Sequence, residues 1–334
     1  MTWPSYQSAL PPDSFRGRRN AITLISGRLG ERAFSSTSVV GGPRTGKTSL
    51  LQYLASTCAD EHLPNLPAGL RVYLDVEILS SNGTSFDFWI SFFRQLLSQN
   101  PAMDAVLAPV IEKAKNQQLS LYNLEDVFDE CARRKLQIVG FVDNWDFLLR
   151  NLNFWPPVSN FLHLVRYFGQ RTPRTVAWVV SSKRPLQELW DSSRSASPYY
   201  NIFVSVDIPS LESEDISDFY ATAAESAGAA VDPDTEELIR DASFGHPFLV
   251  SYVTCRWLEK LAESQPIDPA EIARAFRDPA GPLVALVTEI RAALAPSERQ
   301  ILDQARTSGQ LTANQKAKLK MLASYGLVPP GTKV

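Results

Sequence analysis

The stretch Val39-Val40-Gly41-Gly42-Pro43-Arg44-Thr45-Gly46-Lys47-Thr48-Ser49-Leu50-Leu51 decides the fold. On its N-terminal side, AFSSTSVV (33–40) is a short β-branched run that ends at glycines. On its C-terminal side, SLLQYLAST (49–57) has helical periodicity. Residues 41–48 match G-x-x-x-x-G-K-[ST] in full. The spacing has a mechanical reason. Glycines let the loop curl so that backbone N–H groups converge on phosphate oxygens, and the following helix N-terminus adds partial positive charge. In such a loop Lys47 reaches the β- and γ-phosphates and Thr48 ligates Mg²⁺ through its hydroxyl. Average residue usage puts a chance match in a chain this long on the order of one per cent. A bare glycine turn is therefore the weaker reading.

Outward from the loop, strands and helices alternate. LRVYLDVEIL (70–79), LQIVGFVD (136–143), TVAWVVSS (175–182) and IFVSVDIP (202–209) read as strands, and 86–99 and 121–135 as helices. Nearly continuous apolar strands separated by helices indicate a parallel sheet covered on both faces. After Pro209 the strand patterns stop. Helical patterns follow at 212–228, 233–243, 247–263, 269–277, 282–294, 297–307 and 313–325. The expected organisation is an α/β core over 1–209, a helical lid over 210–280 and a C-terminal helical region over 281–334. In that last region 296–328 looks like the opening of a winged helix, a helix followed by a second one ending at Gly326. Lys316, Lys318 and Lys320 raise the question of DNA. Lys316 and Lys320 share a face at i,i+4 while Lys318 points elsewhere, as on a solvated helix.

A phosphate loop needs an acid at the end of a neighbouring strand, and Asp143 closes LQIVGFVD. Many ATPases follow that aspartate with a glutamate that orients the attacking water. Here the position is Asn144, whose amide cannot accept a proton. Asp146 is then either the substitute carboxylate or a helix cap. Ser181 and Ser182 end the next strand where a polar side chain contacts the γ-phosphate or the water, and Arg184 adds a charge. Serines also end strands for turn reasons alone.

Composition sets the outer bounds. The chain has 334 residues, 44% hydrophobic and 21% charged, with a formal net charge of −3. No apolar run approaches the ~20 residues of a membrane helix, and the N-terminus lacks the basic and apolar regions of a secretory signal. Cys58, Cys131 and Cys255 are odd in number and widely spaced, which points to a reducing, cytoplasmic setting rather than a disulfide frame or zinc site. The net charge hides a gradient. Residues 1–50 carry seven basic groups against two acids, 207–244 carry eleven acids and one base, and the C-terminal stretch is basic again.

Taken together these residues resemble the STAND class of signal-transduction P-loop ATPases and related AAA-like archaeal and bacterial ATPases. Phe15-Arg16-Gly17-Arg18 looks like the F-x-G-R signature of those families, GPRTGKTSLL (42–51) is similar to their Walker A, and Asp143-Asn144-Trp145-Asp146 resembles their Walker B variant. Ser181-Ser182-Lys183-Arg184 looks like the sensor-1 strand end, and Phe244-Gly245-His246-Pro247 like the G-x-P turn of the lid. The resemblance covers roughly residues 13–260. It implies ATP or ADP with Mg²⁺. Phe15, Gly17 and Arg18 would enclose adenine and ribose, and Gly41, Gly42, Pro43, Arg44, Thr45, Gly46, Lys47, Thr48 and Ser49 would hold the phosphates. Thr48 and Asp143 would hold the metal. Lys47, Asp143, Asp146, Ser182 and Arg184 would serve hydrolysis, which Asn144 implies is slow. His246 and Pro247 would lie near base and phosphates, with a buried histidine satisfied by backbone carbonyls as the alternative. Arg194 occupies the loop where related ATPases carry an arginine finger for a neighbouring subunit. STAND proteins usually add an effector upstream and a repeat sensor downstream. Neither is seen here, so the expected partners are further copies of the chain and a separate effector or sensor protein. The leading expectation is a slowly hydrolysing ATP switch. A DNA-binding initiator or loader and a non-hydrolysing nucleotide scaffold are the alternatives.

Overall fold

The computed structural model describes residues 6–30, 34–63, 70–79, 83–150, 158–190, 198–307, 310–329 and 332. The chain divides into two compact units. One comprises Met1–Arg19, Gly41–Leu50 and Asp207–Val334; the other comprises Asn20–Val40 and Leu51–Val206.

The second unit is built on a five-stranded sheet. In chain order its strands are β1 (Ser36–Val40), β2 (Leu70–Asp75), β3 (Ile138–Asp143), β4 (Val176–Ser182) and β5 (Phe203–Asp207). Their order across the sheet is β2-β3-β4-β1-β5. β1 pairs parallel with β4, β4 with β3, and β3 with β2. Register aligns Val40 with Ser182, Val142 with Val180 and Asp75 with Asp143, so the polar residues ending these strands lie at the same, C-terminal end of the sheet. β1, β3 and β4 are buried at every residue, as expected of a sheet covered on both faces.

The helices are α1 (Arg19–Leu29), α2 (Lys47–Ala55), α3 (Ser85–Gln99), α4 (Asp104–Lys115), α5 (Leu121–Arg133), α6 (Trp145–Arg150), α7 (Val158–Gln170) and α8 (Leu186–Leu189). α3 begins at a capping box in which Thr84 and Asp87 satisfy each other's backbone. It buries Phe88, Trp89, Phe92 and Phe93. Their rings meet Trp178 of β4, with Phe92 at 5.3 Å, and Phe161 of α7, with Phe88 at 4.8 Å. Gly140 on β3 leaves room for the Trp178 ring, which a Cβ there would strike.

The first unit holds the remaining helices: α9 (Ser213–Ala227), α10 (Pro233–Ser243), α11 (Pro247–Ala262), α12 (Pro269–Arg277), α13 (Pro282–Ala293), α14 (Pro296–Thr307) and α15 (Ala313–Ser324). α11 is buried without interruption from Phe248 to Thr254, because it serves two cores. Val250, Val253 and Trp257 join Ile216, Tyr220 and Ile239 in one; Phe248 and Leu249 join Leu286, Ile290, Leu319 and Leu322 in the other. The charge gradient is resolved here. Arg19 pairs with Asp218 at 2.5 Å and Arg16 donates to Thr222 at 3.0 Å, so the basic N-terminal segment lies on the acidic α9.

The strand expected over 70–79 stops at Asp75. The Asp75 carboxylate accepts the Glu77 N–H at 3.0 Å, a side-chain turn that ends the extended run. α1, α4 and α7 fill segments to which the sequence reading assigns no element. In α4 an interior proline, Pro109, breaks the helical signal without ending the helix. No wing strand follows α15 among the described residues.

Candidate functional site

In the first unit the loop Gly41–Gly46 opens α2, and its polar groups are largely turned on one another. The Lys47 ammonium donates to the Gly41 carbonyl at 2.8 Å and to the Gly42 carbonyl at 2.7 Å, and the Thr45 hydroxyl donates to the Gly42 carbonyl at 2.9 Å. Lys47 is buried. A buried ammonium needs acceptors, and here the loop's own carbonyls supply them. Ser49, one turn into α2, accepts the Leu10 N–H at 3.0 Å, which holds the N-terminal segment against the loop helix. Thr48 is half-buried and Pro43 buried.

The F-x-G-R element is anchored to this loop. Gly17 has φ +79°, and a Cβ there would come 2.9 Å from Asp215. That close turn delivers Arg18, 8% exposed, to two backbone carbonyls: Thr45 in the phosphate loop at 2.8 Å, and Pro209. Its backbone N–H donates to Asp215 at 3.2 Å. Burial lowers the Arg18 pKa to about 10, with Asp215 opposing the shift. Arg18 therefore ties the loop to the segment that leads into α9. Phe15 is buried beside it in sequence.

The G-x-P turn also meets the loop. Pro247 lies 4.0 Å from where a Cβ on Gly46 would sit, and the Arg44 guanidinium covers the Phe248 ring at 4.4 Å. Arg44 makes a two-pronged contact with Glu289 of α13, at 2.9 Å from Nε and 2.6 Å from a terminal nitrogen. His246 is buried, and its ring meets the Pro43 backbone without closing a well-formed hydrogen bond. Burial, then the charge of Arg18, lower its pKa to about 3, and the Pro43 backbone offsets part of this. Arg18, Lys47 and Arg44 bring positive charge to this imidazole.

In the second unit Asp143 is fully buried at the end of β3. Ser181 donates to one of its oxygens and Tyr73 to the other at 3.2 Å. Burial, then the Asp143 charge, raise the Tyr73 pKa, which keeps that hydroxyl a donor. Asn144 has φ +58°; its N–H donates to Ser181 at 3.0 Å and its side-chain amide to Asp75 at 3.0 Å. The amide that cannot accept a proton thus holds a second carboxylate beside Asp143. Asp146 is buried in the first turn of α6. Ser182 donates to the Arg184 carbonyl at 2.6 Å and closes a turn, and Arg184 pairs with Glu188 at 3.0 Å. Ser181, rather than Ser182, reaches the acid. Arg194 lies outside the described residues.

Sequence reasoning missed Asp75, Tyr73, Asp215 and Glu289. Asp75 was hidden inside a strand read as running to Leu79; the other three carry no motif and act through partners distant in sequence. Among the described residues no cluster of three His, Cys, Asp or Glu side chains forms a protein-built metal cage, and no helix is long and apolar enough to cross a membrane. Thr48 and Asp143 are hard oxygen donors of the kind that hold Mg²⁺ together with phosphates. Of the three lysines of α15, Lys318 bonds the buried Glu298 at 3.1 Å.

Known proteins place these features in a family. A solved structure similar to the chain is the Walker-type ATPase Paby2304 of Pyrococcus abyssi, at 15% identity and a TM-score of 0.59, covering 97% of this chain and 93% of that one. The Holliday junction branch migration motor RuvB of Thermotoga maritima aligns at 14% identity and a TM-score of 0.46, covering 97% and 89%. Domain III of the replication initiation protein DnaA from the same organism aligns at 14% and 0.46, covering 80% and 94%. The likeness to Paby2304 concerns the fold. No curated protein matches the chain. The family model described as novel STAND NTPase 2 matches residues 22–312, from within α1 to the residue before α15, and the chain belongs to that family of P-loop NTPases.

Proposed function

We propose that the chain is a Mg²⁺-dependent ATP-binding switch that hydrolyses its nucleotide slowly and controls self-assembly or a partner effector. The observation that carries the nucleotide reading is the loop itself. A complete phosphate-binding motif opens α2, its lysine is buried at the loop carbonyls, and the buried His246 adjoins the same cations. Lys47 and the loop amides would bind the β- and γ-phosphates, with Thr48 and Asp143 holding the metal, which supplies charge neutralisation on the phosphates. Arg18 would fix the loop through the Thr45 carbonyl, and Phe15, Gly17 and Pro247 would border the base. His246 would contact phosphate oxygens.

Hydrolysis needs an acceptor for the proton of the attacking water. Asn144 is not one. Asp75, held by the Asn144 amide and in register with Asp143, and Asp146, buried at the start of α6, are the candidate carboxylates, and Ser181 donates to Asp143. The same asparagine favours a second reading, a scaffold that binds nucleotide without turning it over. Phosphate release from ATP by the wild-type chain separates the two. Slow release that is lost in Asp143→Asn supports the switch; no release from a chain that binds ATP supports the scaffold.

A further inference from the structure

We propose that the turn after α15 is a latch on the phosphate loop, and that nucleotide binding and latch closure exclude one another. The inference rests on the nucleotide-site reading and adds to it a built-in competitor. Gly42 is the point of contact. Its N–H donates to the Tyr325 carbonyl, while its own carbonyl accepts from Lys47 at 2.7 Å and from Thr45 at 2.9 Å. One loop residue is thus gripped from both sides. On one side is the C-terminal turn; on the other is the lysine that must swing away to meet a phosphate.

The approach is close enough to exclude anything between. A Cβ on Gly42 would overlap the Gly326 carbonyl, and a Cβ on Gly326 would come 2.7 Å from the Thr45 methyl. Glycine is required on both surfaces, and on Gly326 also for its φ of +65°. The charge sense is equally opposed. Carbonyl oxygens of Tyr325 and Gly326 face a loop whose purpose is to gather N–H groups on an anion, so phosphate oxygens and the turn compete for the same partial charges.

A second tether acts from the same body. Arg44, inside the loop, is held by Glu289 of α13. Leu286 and Ile290 of α13 and Leu319 and Leu322 of α15 share one apolar core with Leu327, so Glu289 and Tyr325 are mounted on one packed element. A ligand shifts such an equilibrium only through its differential affinity for the two states, and the coupling is reciprocal. Whatever pulls α13–α15 away tightens nucleotide binding, and bound nucleotide frees α13–α15 to engage a partner or another copy.

The test uses the full chain and the fluorescent nucleotide N-methylanthraniloyl-ADP with Mg²⁺. Gly326→Asn keeps a residue that tolerates positive φ but adds the Cβ that cannot fit against Thr45. Loss of one backbone hydrogen bond and its close contact should tighten nucleotide affinity by about three- to tenfold. Glu289→Gln, a half-exposed ion pair, should tighten it by about twofold, with the gain shrinking at high salt. In the wild type, saturating ADP should speed amide hydrogen exchange of residues 322–327, a measurement that decides the matter even where Gly326→Asn folds poorly. A wild type that binds ADP while a folded Gly326→Asn binds no more tightly, or exchange at 322–327 that ADP leaves unchanged, overturns the latch alone. A wild type and variants all blind to ADP and ATP overturn the nucleotide site and the latch together.

Discussion

Arg18→Met should unfasten the phosphate loop while leaving the space filled. The guanidinium makes two bonds to backbone carbonyls, at Thr45 and Pro209. Hydrogen bonds from a charged donor contribute about 1.5–3 kcal/mol each, so the pair contributes about 3–6 kcal/mol. Against this stands the cost of burying the charge. The lowered pKa, about 10, puts that cost at roughly 3 kcal/mol at the usual conversion. Methionine removes both contributions, yet it also bares two buried carbonyls at about 1–3 kcal/mol each. A net loss of at least about 2 kcal/mol follows. A domain of ~150–250 residues loses about 2–4 °C per kcal/mol, so the melting transition should fall by at least about 4 °C. Arg18→Lys should fall between, because one ammonium replaces a planar fork that serves two acceptors. Differential scanning calorimetry reads the shift. Nucleotide titration should show weaker binding in parallel, since Thr45 belongs to the loop. A methionine variant that melts within about 1 °C of wild type and binds nucleotide equally would refute the anchoring role.

Three further outcomes are expected. Asp75→Asn should lower phosphate release by about 100-fold, at the low end of what general bases contribute, with ADP affinity unchanged; equal rates contradict a role for Asp75. Gly140→Ala should destabilise the sheet unit by about 1–3 kcal/mol in urea unfolding, because the new methyl group drives into the Trp178 ring; a neutral variant contradicts the packing described. His246 has a folded pKa of about 3 against an ordinary value near ~6.5, so the unfolded chain binds its proton first as pH falls. Its stabilising contribution is complete above about pH 6.5 and declines by about 1 kcal/mol per pH unit below it, which urea midpoints at pH 7, 6 and 5 measure. His246→Gln should flatten that slope, and an unchanged slope contradicts the buried neutral imidazole.

The parallel sheet and the seven C-terminal helices were legible because buried strands leave unbroken apolar runs and lid helices leave a period of 3.6. The phosphate loop was legible because backbone geometry imposes its glycine spacing. Asp143 and Arg18 could be located from their motifs, but not their contacts. Arg18 reaches carbonyls, which no side-chain pattern encodes, and one of them lies 191 residues away. Asp75 escaped because Val76, Ile78 and Leu79 extend the apolar pattern past the turn that its own carboxylate makes. Tyr325 and Gly326 read as an ordinary helix end; their meeting with Gly42 depends on how α13–α15 pack, a tertiary fact with no local signature.

Equilibrium titration of wild type and Lys47→Ala with N-methylanthraniloyl-ADP and with ATP, each with Mg²⁺, tests whether Gly41–Thr48 holds a nucleotide. Saturable binding is expected of the wild type, and the lysine variant should lose it while remaining folded. Absent binding in the wild type, or affinity that Lys47→Ala retains, would contradict that site.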